Sequence, residues 1–197
     1  MKTLAIEREF GSGGREIGMK VAEKAGIPYY DGNLLVEAAN RYGISLGKLL
    51  DYDEKGSGSL MYNLAMAANY MQGADASEVY AIQYGVKETI RKLKENGPAI
   101  FIGRCATEIL KTDSDVVRAY IYSSSEEKKI SRIVEKEQIS GERAKKLMEK
   151  KDRSRRNYFH FFTEKDWKDR NNYDIELNTG MISADDCSDI LLYMISK

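Results

Sequence analysis

One stretch, Ile6-Glu7-Arg8-Glu9-Phe10-Gly11-Ser12-Gly13-Gly14-Arg15-Glu16-Ile17-Gly18, constrains this chain more than any other. An apolar run at 4–6 enters it, and Ile17, Val21 and Ala25, spaced four apart, leave it, so it reads as strand, glycine-rich turn and helix. Successive backbone N–H groups in such a turn, together with the positive end of the following helix, form a cradle for a phosphate anion. Glycine is needed where the backbone must bend sharply or approach the anion closely. The standard pattern G-x-x-x-x-G-K-[ST] is met only in part. Glu9, Arg15 and Glu16 stand where the first glycine, the lysine and the hydroxyl residue fall.

The rest of the composition narrows the setting. A chain of 197 residues suits one domain with a small mobile insertion. The 31 basic and 31 acidic side chains cancel, so no global field favours nucleic acid or an anionic membrane, and anion binding has to be local. No apolar run approaches the roughly 20 residues that span a bilayer, and Met1-Lys2-Thr3-Leu4 lacks a signal-peptide core, so a cytoplasmic location is expected. Cys105 and Cys187 are far apart and read as reduced thiols, and the single histidine, His160, excludes a histidine-cluster metal site.

Along the chain, 26–32 reads as a helix stop, a short strand and a turn, which leaves Asp31 at the carboxyl end of a strand, where open parallel sheets gather ligands. Asp31 as a substrate contact and Asp31 as the cap of a helix over 33–42 are equally open readings. Residues 43–59, with four glycines and mixed charge, suggest a flexible insertion, and 61–71 a methionine-rich helix suited to packing or self-association, hence a possible homodimer. Val79, Ile82, Val86, Ile90 and Leu93 keep a helical period up to Asn96-Gly97-Pro98. The apolar run at 99–102 then delivers Gly103-Arg104 to the same edge as Gly11, where Arg104 suits an anion or, failing that, an internal ion pair.

Another strand over 116–122 leads to Ser124 and Glu127 at capping-box spacing. Between 143 and 156, eight basic residues face Glu149 and Asp152, and this basic helix is expected to break into an aromatic loop at 157–163, forming a lid over a polyphosphate. A strand at 173–177, a turn at 178–180 and a terminal helix capped by Ser183 and Asp186 complete a chain of five strands alternating with helices, which implies a parallel sheet.

These residues resemble the cytidylate kinase-like family of phosphate-loop (P-loop) nucleoside monophosphate kinases. The likeness is carried by 8–18, Ile27-Pro28-Tyr29-Tyr30-Asp31, Ile102-Gly103-Arg104-Cys105-Ala106, Asp152-Arg153-Ser154-Arg155, and Tyr173-Asp174 leading into Asn178-Thr179. It implies an α/β P-loop NTPase fold: three layers, α/β/α, with a five-stranded parallel sheet, a helical monophosphate-binding insertion at about 43–76 and a lid at about 150–170. It also implies ATP and Mg²⁺, with CMP or dCMP as acceptor. True cytidylate kinases carry Gly-Lys-Gly-Thr where this chain has Gly14-Arg15-Glu16-Ile17, an arginine where Glu37 aligns, and an aspartate where Cys105 stands.

The mechanism this implies has Gly11, Ser12, Gly13, Gly14, Arg15 and Glu16 around the donor phosphates, Arg15 replacing the lysine. Arg104 positions the acceptor phosphate, and Arg155, with Arg153 or Arg156, closes from the lid while Asp152 orients the array. Asp31 holds a sugar or base group. Glu16 either helps hold the metal or turns away into an ion pair. A nucleotide-binding module without transfer activity and a kinase for a non-nucleotide hydroxyl compound are the alternatives.

Overall fold

The computed structural model describes residues 1–32, 40–41 and 76–197. The expectations for 33–39 and 42–75, including the helix after Asp31, the flexible insertion, the methionine-rich helix and Glu37, lie outside the described residues.

Five parallel strands form one sheet in the order β2-β3-β1-β4-β5: β1 Thr3–Arg8, β2 Tyr29–Tyr30, β3 Ile100–Ile102, β4 Val116–Tyr122 and β5 Ile175–Asn178. The helices are α1 Gly14–Ala25, α2 Ala76–Glu95, α3 Ala106–Ile109, α4 Glu126–Glu137, α5 Gly141–Thr163 and α6 Ala184–Ser196. Both faces of β1 are buried, which is why it reads as a continuous apolar run. Leu4 and Ile6 pack with Ile17 and Val21 of α1 and Leu191 and Ile195 of α6. Ala5 faces Val86, Ile90 and Leu93 of α2 on the opposite side. Helices therefore cover both faces of the sheet, the expected three layers.

The register fixes where chemistry can gather. Ile6 pairs with Ile102, so the turns that follow β1 and β3 leave the sheet side by side. In an open parallel sheet that carboxyl edge is the ligand-binding crevice. The chain steps from β1 to β2 on one side and passes to β4 on the other, so β1 is also the point where the winding changes direction.

Two local expectations are corrected. Residues 157–163 do not form a loop, because α5 continues to Thr163, and Tyr158 and Phe159 are buried against Trp167, Tyr120 and Tyr173. Aromatic packing on a helical face replaces the expected lid loop. The cap of α4 is Ser125, whose hydroxyl accepts the Lys128 N–H at 3.2 Å, and not Ser124, whose N–H is held by Asn178. Ser183 does cap α6, accepting from Asp186 N at 3.1 Å.

Candidate active site at the β1 and β3 edge

The turn between β1 and α1 is built from glycines for identifiable reasons. Gly11 and Gly13 have φ of +78° and +83°, a left-handed conformation that L side chains rarely adopt. Gly13 is the N-cap of α1 and supplies no side-chain bond to the helix start. The first turn of α1 therefore has no side-chain cap from Gly13 and presents its N–H groups at the positive end of the helix. Ser12 is turned inward: its hydroxyl donates to the Glu9 carbonyl at 2.8 Å and accepts weakly from Gly14 N–H at 3.4 Å.

Above this turn lies a cleft of about 480 Å³, lined by Arg8, Gly11, Gly13, Gly14, Arg15 and Glu16 from the loop side and by Arg132, Lys136 and Arg155 from the helices beyond. Arg132, from α4, donates to the Gly11 carbonyl at 2.8 Å, and its guanidinium covers Gly13. Arg155 donates to the Arg8 carbonyl at 2.8 Å and lies 5.4 Å from the centre of the Phe10 ring. Asp152, one helical turn away, accepts the Phe10 N–H at 2.6 Å and stands 4.0 Å from Arg155. Helix α5 is thereby docked onto the loop by two side chains of one face. Burial holds the Asp152 carboxyl above its ordinary pKa, against the Phe10 bond and Arg155, and burial lowers that of Arg155.

Arg153 and Arg156 are exposed and do not line the cleft. In a continuous helix, residues three apart share a face, so 152 and 155 turn inward together and 153 and 156 turn away.

Glu9 replaces the first glycine of the standard loop for a structural purpose. Its carboxylate, 7% exposed, accepts from Lys129 at 2.9 Å, Lys168 at 3.0 Å and the Ser123 N–H at 3.3 Å. Burial alone would raise its pKa, but the two lysines prevail and lower it. One side chain thus ties the end of β1 to α4, to the segment after α5 and to the end of β4.

Arg15 pairs with Asp31, through both Nε and Nη2 at 2.8 Å, so the residue expected at the donor and the residue expected at the acceptor meet each other across the end of β2. Glu16 takes the ion-pair alternative, 3.4 Å from Lys20 one turn along α1. Ile17, which stands where the threonine of Gly-Lys-Gly-Thr falls, is fully buried in the core. Hard cations such as Mg²⁺ require oxygen ligands, and of these positions only Glu16 brings a carboxylate to the cleft wall, where it is paired with Lys20. Among the described residues no group of three or more His, Cys, Asp or Glu could hold a metal ion. The described residues form no all-protein metal cage, so a Mg²⁺ ion here would depend on oxygens of a bound nucleotide.

The turn after β3 is strained. Gly103, Arg104 and Cys105 all have positive φ, at +80°, +60° and +56°, and left-handed backbone at two non-glycine residues costs roughly 1–2 kcal/mol each. The geometry is secured from below by Gly103 N–H donating to the Ile6 carbonyl at 2.8 Å and Cys105 N–H to Glu7 at 3.1 Å. Glu7 is buried and also accepts from the Trp167 indole at 3.4 Å; burial holds its pKa above the ordinary value. The strain has a product: it turns Arg104, 9% exposed, against Gly32 beyond β2, where a Cβ would stand 2.8 Å from Nη2. A second cleft of about 260 Å³ opens beside Arg104, with Lys87, Arg91, Tyr158 and Phe162 on its walls.

Three site features were missed in sequence. Arg8 carried a readable signal, since a charge at the end of a buried central strand requires a partner, the same argument that singled out Arg104. Arg132 carried none, because an arginine in an amphipathic helix is ordinarily a solvated one. The lysines on Glu9 depend on tertiary placement alone.

A parallel sheet with helices on both faces and a glycine turn leading from its central strand into a helix is the P-loop kinase fold. Residues 3–181 match the cytidylate kinase-like family, and the chain belongs to that family. Among solved structures it is similar to an uncharacterized protein from Eubacterium ventriosum, at 27% identity and a TM-score of 0.71, covering 100% of this chain and 99% of that one. Shikimate kinase from Bacteroides thetaiotaomicron shares the fold at 12% identity and a TM-score of 0.56, covering 100% and 99% of the two chains. TT1252 from Thermus thermophilus does so at 15% identity and a TM-score of 0.52, covering 99% and 96%. No curated protein matches the sequence. No helix among the described residues is long and apolar enough to cross a membrane.

Proposed function

We propose that this protein transfers the terminal phosphoryl group of ATP to a nucleoside monophosphate, with CMP or dCMP the expected acceptor. The observation that carries the reading is the convergence of the glycine turn, Arg155 and Arg104 on one sheet edge. Phosphoryl transfer asks little covalent chemistry of a protein; it asks for in-line placement and positive charge around the moving group. In this reading the N–H groups between Gly11 and Glu16 hold the donor phosphates, with Ser12 bracing the turn. Arg155 supplies charge to the transition state, positioned by the Arg8 carbonyl and faced by Asp152. Arg104 holds the acceptor phosphate. Arg15 releases Asp31 to the acceptor's sugar or base when the nucleotide draws it into the cleft. Mg²⁺ enters as part of the substrate, on the nucleotide's own phosphates, rather than on a protein site. The terminal P–O bond of ATP breaks as an acceptor phosphate oxygen bonds to that phosphorus, giving ADP and a nucleoside diphosphate. A phosphate monoester is already largely dianionic at neutral pH, so no base has to remove a proton.

The Arg15–Asp31 and Glu16–Lys20 pairs favour a second reading, a nucleotide-binding module that does not transfer. The discriminating experiment measures ADP release from ATP and Mg²⁺ over a panel of nucleoside monophosphates and neutral alcohols. Acceptor-dependent release with CMP or dCMP supports the proposal. Tight ATP binding with no acceptor-dependent release supports the module, and release with a neutral alcohol alone supports a kinase for a non-nucleotide hydroxyl compound.

A further inference from the structure

The side chain of Arg8 has no role in the reading above. Arg8 is the last residue of β1, and its side chain threads between two glycines. A Cβ at Gly14 would stand 2.6 Å from Arg8 Cβ, and one at Gly103 would run into Nη1. The guanidinium therefore reaches from the cleft it lines with Gly13, Gly14 and Arg155 to the turn that presents Arg104. The two glycines are required at these points because any other residue would displace it.

Its Nε and Nη1 are buried and have no hydrogen-bond partner among the described residues. The other buried side-chain atoms in that condition belong to neutral groups, Thr107, Tyr120 and Ser154. Two carboxylates act on Arg8 electrostatically, and both are engaged elsewhere: Glu7 accepts from Cys105 and Trp167, and Asp31 from Arg15. The remaining charges that face it, Arg155 and Arg104, are like charges. Burial first, and Arg155 second, push its pKa down to about 9. A buried guanidinium with open donors between two further arginines is unfavourable unless an anion completes it. A phosphoryl group supplies what is lacking: negative charge and several acceptor oxygens suited to a guanidinium fork.

We propose that Arg8 binds the phosphoryl group in transit, holding its oxygens where the phosphate loop and the Gly103 turn meet. This rests on the phosphoryl-transfer reading and adds a residue to it. Arg8 forms no covalent bond and moves no proton; it supplies fixed charge between donor and acceptor.

Two variants of the full chain test this, Arg8→Lys, which keeps charge but loses the fork, and Arg8→Met, which keeps the stem. With the best acceptor of the panel, each lowers kcat by about 10²–10³-fold, the range for losing one preorganised donor, while KM for ATP changes little. Independently of turnover, thermal midpoints are measured in inorganic phosphate and in chloride at equal ionic strength. The wild type gains stability from phosphate. Arg8→Met is at least as stable as the wild type in chloride and gains less from phosphate. An unchanged kcat in Arg8→Lys, or a phosphate gain in both variants equal to that of the wild type, overturns the inference. So does a collapse of Arg8→Met in chloride with full kcat in Arg8→Lys, which would make Arg8 a structural ion partner. A wild type with no transfer to any acceptor but an Arg8-dependent phosphate gain defeats the transfer reading alone and leaves Arg8 as an anion ligand.

Discussion

Arg8 and Glu9 are neighbours at the end of the same strand, both largely withdrawn from water, and they are treated in opposite ways. The Glu9 carboxylate has three donors within 3.3 Å, two of them lysines. Arg8 has two buried donor atoms and no acceptor for them among the described residues. A buried charge with a full set of partners holds structure together, whereas one whose partners are missing is costly to the fold and marks a candidate ligand site. A different division separates the arginines of α5: Arg155 is turned inward onto the Arg8 carbonyl and lines the cleft, and Arg153 and Arg156 face solvent.

Substitutions along this divide should sort into losses of rate and losses of stability. The largest effect is expected at Arg155, where replacement by Ala lowers kcat by about 10³-fold or more, the scale for charge-supplying arginines in phosphoryl transfer. Steady-state kinetics with saturating ATP checks this, and near wild-type turnover would remove Arg155 from the mechanism. Gly103→Ala should act on both sides of the divide. It strains a residue at φ +80° and drives a methyl into Arg8, so stability falls by about 1–2 kcal/mol and turnover falls with the displaced guanidinium.

Glu9→Gln should spare the chemistry and cost about 3 kcal/mol, because it leaves the mostly buried Lys129 without its carboxylate. Calorimetric unfolding checks the loss, which is an expected drop of roughly 6–12 °C in a chain of this size. Its pH dependence has a definite sign. The folded pKa of Glu9 lies below its ordinary value of 4.5, so its contribution is complete above about pH 4.5 and disappears as pH falls through the folded value. Glu7 and Asp152 are raised instead, so each weighs against the fold above its ordinary pKa and is relieved as acid protonates it. Glu9→Gln should therefore flatten the acid limb of the stability curve, and an unchanged limb would show that the lysine pairs contribute nothing. The smallest effects belong to Arg153→Ala and Arg156→Ala, each within about 0.5 kcal/mol in stability, as for ordinary surface sites, and close to wild type in kcat. A large rate loss at either would show that α5 rotates when nucleotide binds.

Much of this architecture was legible in the sequence because apolar periodicity and glycine placement are local signals. The five strands, the helix ending at Asn96-Gly97 and the Ser183 cap need only neighbours a few residues away. The loop was legible for the same reason, and the apolar run at 99–102 made Arg104 legible as its companion, with the register of Ile6 against Ile102 setting the two turns side by side. Features that depend on distant partners were not readable. The aromatic residues at 157–163 gave no amphipathic pattern because the helix they continue is packed by Trp167, Tyr120 and Tyr173, which arrive from other elements. The reason for Glu9 at the first glycine position lies in Lys129 and Lys168, which reach it only through the tertiary fold. Arg15 and Asp31, sixteen residues apart, meet across the end of β2, a pairing that no local spacing announces.

The most direct test of the account follows the label from [γ-³²P]ATP in the presence of CMP, with wild type beside Arg155→Ala. The account predicts labelled CDP from the wild type and a rate lower by about 10³-fold in the variant. Label that stays on ATP, or passes only to water, in a protein that binds ATP tightly would contradict it.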